Sequence, residues 1–126
     1  MTALIDTHLL VWWFLGSAKL PPPARAAIEN PSNRIVASAA SFWELAIKAS
    51  RGKIKLNIDD LVAESDRHDI EILAIVPRHT VAVARLVWHH ADPFDRMLIA
   101  QAKTESMRLL TVDPALAVYG EPVTVI

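Results

Sequence analysis

Two hydrophobic rhythms alternate along this chain. Ala3-Leu4-Ile5, Ile35-Val36-Ala37 and Leu109-Leu110 are short unbroken apolar runs. Runs of this kind read as strands buried on both faces of a parallel sheet. They place strands at Ala3–Ile5, Arg34–Ala37 and Arg108–Val112, and Glu71–Val76 and Pro122–Ile126 add two more. Between them, apolar residues recur every three or four positions, which is helical spacing. Helices are predicted over Thr7–Leu15, Ala24–Asn30, Ser38–Arg51, Ile58–His68 and Pro77–Trp88, and from the Asp92-Pro93 pair to about Glu105. Gly16, Pro21 to Pro23, Pro31 and Gly52 punctuate these segments where glycine and proline end regular structure. Strands alternating with helices predict an α/β protein, a three-layer α/β/α domain with a mainly parallel central sheet and right-handed crossovers. At 126 residues the chain is expected to form a single domain over 1–126.

Composition narrows the functional classes. The hydrophobic share is 52% and the mean hydropathy +0.27. That apolar surplus predicts a homodimer or a tight partner. The stretch Trp12-Trp13-Phe14 is too wide for one core from one helix, so at least one of the three is expected at an interface, the alternative being that all are buried between helix and sheet. No stretch approaches the roughly 18 uncharged apolar residues of a membrane span, and no basic segment precedes Leu9–Leu15, so neither membrane insertion nor export is expected. Cysteine is absent, which excludes disulfides and thiolate metal sites and suits a reducing cytoplasm. The net charge of −1 offers no global attraction for nucleic acid.

Four acids stand at or near predicted strand ends. Asp6 follows the first strand, Glu44 lies early in the helix after the second, Asp95 opens the helix before the fourth, and Asp113 follows the fourth. In open α/β sheets, ligands bind outside the carboxyl ends of strands. Each acid also has a plain role. Asp6, Asp92 and Asp113 suit helix N-caps, the latter two with proline at the first helical position. Ser41 to Glu44 fits a capping box. Read jointly, the carboxylates would repel one another and need a cation. Oxygen donors without thiol suit Mg²⁺ or Mn²⁺, which activate water and stabilise the leaving oxygen of a phosphodiester.

Four blocks carry a family resemblance. Leu4-Ile5-Asp6-Thr7-His8-Leu9-Leu10-Val11-Trp12, Ser41 to Lys48, His90 to Ala102 and Leu109-Leu110-Thr111-Val112-Asp113 resemble, in order and spacing, the successive blocks of PIN domains, with the nearest likeness to VapC-type toxins of prokaryotic toxin–antitoxin pairs. The resemblance implies a Mg²⁺- or Mn²⁺-dependent endoribonuclease that leaves 5′-phosphate and 3′-hydroxyl ends. It also implies inhibition by a VapB-type antitoxin. Carried over by motif, Asp6, Glu44, Asp95 and Asp113 are the catalytic and metal-binding acids. Thr7, Asp92, Arg96 and Thr111 are supporting candidates. Arg96 is open to three readings: a contact to substrate phosphate, a partner for an acid, or a surface arginine.

Other features are less decisive. Lys48, Arg51, Lys53 and Lys55 form a basic run that could hold RNA phosphates or simply complement a helix C-terminus. His89 and His90 read as loop histidines. Aspartyl-phosphate enzymes are disfavoured because His8 stands where a second aspartate would be needed, and no glycine-rich phosphate loop is present. The alternative to the nuclease is a non-catalytic PIN-like module that binds RNA or protein.

Overall fold

The computed structural model describes residues 1–126. The chain runs β1 (Thr2–Ile5), α1 (Thr7–Leu15), α2 (Pro22–Glu29), β2 (Arg34–Ser38), α3 (Ala39–Ser50), α4 (Ile58–Arg67), β3 (Glu71–Leu73), α5 (Pro77–Arg85), α6 (Pro93–Thr104), β4 (Arg108–Thr111), a 3₁₀ turn (Pro114–Tyr119) and β5 (Val123–Val125). All four strand pairings are parallel, and the spatial order is β3-β2-β1-β4-β5. The central strand is therefore β1, the most completely apolar one.

Alternation within each strand explains the layers. Ala3, Ile5, Ile35, Ala37 and Leu110 point into one core with Leu9 and Leu10 of α1, Ala24 of α2, Leu45 of α3 and Leu61 of α4. Leu4, Val36 and Leu109 point the other way, onto Leu98, Ile99 and Ala102 of α6 and onto Leu116 and Tyr119. Successive side chains of a strand face opposite sides, so runs without polar gaps require cover on both. This is the expected α/β/α arrangement, with α5 packed on α6 in the outer layer.

Most element ends fall within two residues of the sequence reading; two ends and one cap differ more. β3 ends at Leu73 rather than Val76, because Ile75 and Val76 lead into the proline that starts α5. α5 ends at Arg85 rather than Trp88; Leu86 leaves the helix in extended conformation. The cap of α3 is Ser38, whose hydroxyl accepts the Ala40 N–H at 3.0 Å. The predicted Ser41–Glu44 capping box does not form, because the helix has already begun.

Strand order fixes where a site can lie. The chain steps outward from β1 to β2 to β3, then returns to pair β4 on the other side of β1. The reversal falls between β1 and β4, and such a switch point opens a crevice at the strands' carboxyl ends. Asp6 follows β1 there, and Thr111 to Asp113 follow β4.

Candidate active site

Asp6 is 3% exposed and uses its two oxygens separately. Oδ1 accepts the Leu9 N–H at 2.8 Å, capping α1. Oδ2 accepts the Thr111 hydroxyl at 2.6 Å and the Val112 N–H at 3.3 Å. The capping reading is therefore correct for one half of the carboxylate only. A carboxylate has about four acceptor positions, and these bonds fill three. Burial pushes the Asp6 pKa up; the bonds from Thr111, Leu9 and Val112 and the nearby His8 only partly offset it.

Thr111 links two of the acids. While its hydroxyl donates to Asp6, its oxygen accepts the Asp113 N–H at 3.1 Å. Asp113 then caps the 3₁₀ turn through Oδ1, which accepts from Ala115 at 2.9 Å, and Oδ2 has no protein partner. Thr7 works differently: its hydroxyl donates to Ser41 Oγ at 2.9 Å, tying the first turn of α1 to that of α3.

The α6 end of the site is set by its cap. Asp92 Oδ1 accepts the Phe94 and Asp95 N–H groups at 2.8 and 3.1 Å, so this acid shapes the helix start. Asp95 stands in the first turn, and His90 Nε2 lies 3.0 Å from its Oδ2. His90, Asp95 and Asp113 each place one donor atom within 4.8 Å of the other two. Burial raises the Asp95 pKa first of all, and the charges of Asp92 and Glu44 raise it further, against the pull of His90. Glu44 lies in the second turn of α3 and is paired with Lys48 at 3.1 Å.

The structure thus brings Asp95 and Asp113 together with His90, ties Asp6 to Asp113 through Thr111 but outside that group, and leaves Glu44 outside it too, within electrostatic reach of Asp95. A buried network braces these positions from below. Ser38 Oγ donates to Gln101 Oε1 at 2.5 Å. Gln101 Nε2 lies 3.3 Å from Nδ1 of the fully buried His79, whose Nε2 meets Glu105 at 3.0 Å. It joins the start of α3 to α5 and α6, which carry or flank the acids.

Two expectations need correction. Arg96 neither faces the site nor lies on the surface. It is 3% exposed, and its guanidinium donates to the carbonyls of Leu86 at 3.0 Å, Val87 at 2.9 Å and Val83 at 3.2 Å. It also reaches Tyr119 Oη at 3.3 Å and lies 3.8 Å from the Trp88 ring centroid. Arg96 closes the end of α5 and fixes the loop that carries His90. Trp12, Trp13 and Phe14 all pack, half-buried, against one core. The exposed tryptophans are Trp43 at 60% and Trp88 at 76%, on a different face. His90 is in a loop, as read, but its contact with Asp95 makes it part of the site; its place five residues before that acid was the available signal.

A divalent cation fits these donors. Two carboxylates whose charged forms are disfavoured share one edge with a third, and Asp6, Asp95 and Asp113 all keep acceptor capacity. Lys48 is engaged by Glu44. Oxygen donors with at most one imidazole favour a hard ion.

Residues 3–122 match the PIN domain family. The chain is 32% identical over 124 residues to Ribonuclease VapC22 of Mycobacterium tuberculosis (strain ATCC 25618 / H37Rv), covering 96% of this chain and 94% of that protein. Its fold resembles a chain in the crystal structure of VapBC2 from Rickettsia felis bound to a promoter DNA fragment, with a TM-score of 0.75 at 18% identity over 100% of this chain and 98% of that one. It also resembles a chain of VapBC-1 from nontypeable Haemophilus influenzae, with a TM-score of 0.67 at 16% identity over 100% of this chain and 97% of that one. A match across nearly the whole chain, by family and by relative, on a fold whose switch point gathers the expected acids, leaves one assignment: this chain belongs to the PIN domain family and is of the VapC kind.

Proposed function

We propose that this protein is an endoribonuclease toxin that cleaves RNA phosphodiester bonds with Mg²⁺ or Mn²⁺ and is neutralised by a VapB-type antitoxin. The observation that carries the reading is the convergence of desolvated carboxylates at the β1/β4 switch point, joined with the likeness to a VapC ribonuclease. Asp6, Asp95 and Asp113 would hold the metal, with Glu44, paired with Lys48, as the fourth acid of the set. When bound, the ion supplies Lewis-acid stabilisation and makes a water nucleophilic near neutral pH. Thr111 holds Asp6 in one orientation, and His90 does the same for Asp95. Asp92 and Thr7 shape the helix starts on which these groups stand. Water adds to phosphorus, the P–O3′ bond breaks, and the proton ends on the 3′ oxygen. The products carry 5′-phosphate and 3′-hydroxyl ends.

The whole of 1–126 acts as one nuclease unit, placed in the cytoplasm, where RNA is accessible. No helix is long and apolar enough to cross a membrane. A homodimer is supported by an apolar groove of about 350 Å³ beside the exposed Trp43 and Trp88. Calorimetric titration of Mn²⁺ into the wild type, Asp6→Asn and Asp95→Asn tests the metal assignment. Saturable binding weakened at least tenfold in both variants is expected; equal binding in all three would refute it.

A further inference from the structure

A second feature of the same edge is a pocket of about 340 Å³ between α1, α3 and the Lys53-Ile54 segment. Its floor is apolar, made by Val11, Leu45 and Ile54. One wall is aromatic: His8 and Trp12, one turn apart on α1, have ring centroids 5.5 Å apart at a 45° tilt. Lys48 and Lys53 also line the pocket, and the Lys48 ammonium pairs with Glu44. The pocket adjoins the acid site at two points. Thr7, which lines it, follows Asp6, and Lys48 is paired with Glu44 at 3.1 Å.

We propose that this pocket is a nucleotide subsite that binds an unpaired RNA nucleotide next to the scissile phosphate. The inference rests on the nuclease reading above. An edge carrying Asp6, Glu44, Asp92, Asp95 and Asp113 repels a polyanion, and a chain of net charge −1 has no global field to compensate. Cations must therefore stand locally: Lys48 pairs with Glu44, and Lys53 lines the same pocket. A nucleotide joins a flat apolar base to an anionic phosphate. The pocket matches both, with the base against Trp12 and His8 and the phosphate at the lysines. Single strands are held in this way, by aromatic stacking and basic side chains. The volume suits one small group rather than a docked helix, which needs a longer apolar groove.

The test uses a fluorescent single-stranded RNA 12-mer with the full-length protein in EDTA, where binding is read without cleavage. Lys53→Ala is expected to weaken binding about fivefold and to flatten the salt dependence by about 0.7, the share of one phosphate contact on a single strand. Trp12→Leu is expected to weaken it about tenfold and Trp12→Phe to restore most of the loss. With Mn²⁺ present, KM should rise in step while kcat stays within twofold. Unchanged affinity, salt slope and KM in a wild type that cleaves RNA would overturn the subsite and leave the nuclease standing. A wild type that binds the 12-mer with these dependences but cleaves no RNA would leave the subsite and remove the nuclease. Equal competition by poly-L-glutamate, insensitive to Trp12, would overturn the subsite and reassign the lysines to an acidic protein partner.

Discussion

Replacing Arg96 by methionine keeps most of the stem and removes the guanidinium, isolating what that group does. Four backbone carbonyls accept from it, that of His90 only at 3.5 Å, and they are not equally dependent on it. Val83 O also accepts from Leu86 N at 3.1 Å, and Val87 O from His89 N at 3.0 Å. Leu86 O has only Arg96. The buried Leu86 carbonyl is thus left unpaired, at a cost of about 1–3 kcal/mol, while those of Val83 and Val87 lose a second, charge-assisted bond and the part-buried His90 carbonyl loses a long one. Against this, removing a buried cation that has no carboxylate partner relieves its desolvation. The stacking on Trp88 is lost as well, a contribution of about 1 kcal/mol. The net loss is about 3 kcal/mol, which lowers Tm by roughly 10 °C in a domain of this size. Thermal melts followed by circular dichroism read it directly. Arg96→Lys should fall about halfway, because an ammonium keeps the charge but not the fork. If Arg96 lay on the surface, the change would stay within about 0.5 kcal/mol. A Tm shift of under about 2 °C with a raised KM would show that the guanidinium meets substrate instead, and would refute the clamp.

Three further outcomes follow from the same geometry. Asp6→Asn should abolish RNA cleavage, at least about 100-fold, yet lower the metal-free Tm only modestly, because relief of a charge that burial disfavours offsets the bonds an amide nitrogen cannot accept from Thr111 and Val112; gel assays and melts check both, and unfolding of the variant would return Asp6 to a purely structural role. The raised pKa values of Asp6 and Asp95 lie above the ordinary 3.8, so each destabilises the metal-free fold when ionised, and that penalty fades as pH falls through the raised value towards 3.8. Protons and metal therefore compete, and the Tm gain from added Mn²⁺ should shrink as pH falls towards these raised values; a pH-independent gain would contradict it. Glu44→Gln removes a partly exposed ion pair worth about 0.3–0.5 kcal/mol, so Tm should barely move, while cleavage falls at least about tenfold.

The sequence made the layers legible for a clear reason. Ala3-Leu4-Ile5 and Ile35-Val36-Ala37 have no polar gap, and only a sheet covered on both faces asks for that. The helix starts were equally plain at Asp92-Pro93 and Asp113-Pro114, where cap and proline coincide, and the structure shows both caps made. Less could be read where the partner is backbone. Arg96 is held by carbonyls of Val83, Leu86 and Val87, and carbonyl positions leave no trace in residue identity. Ser41 looked like a cap because it precedes Glu44 by three, but Ser38 is placed first at the end of β2 and takes the role. The pairing of β4 with β1 rather than β3 also has no local signature. It comes from right-handed crossovers filling both sides of the central strand, and it is what brings Asp6 beside Asp113.

The central claim is that these acids cut RNA with a bound divalent ion. Antitoxin-free protein incubated with total cellular RNA, with Mg²⁺, with Mn²⁺ and with EDTA, beside Asp95→Asn, tests it most directly. Discrete fragments bearing 5′-phosphates, formed only with metal and absent with the variant, are predicted. Folded wild type that yields no fragments with either metal, or fragments that persist in EDTA and in Asp95→Asn, would contradict it.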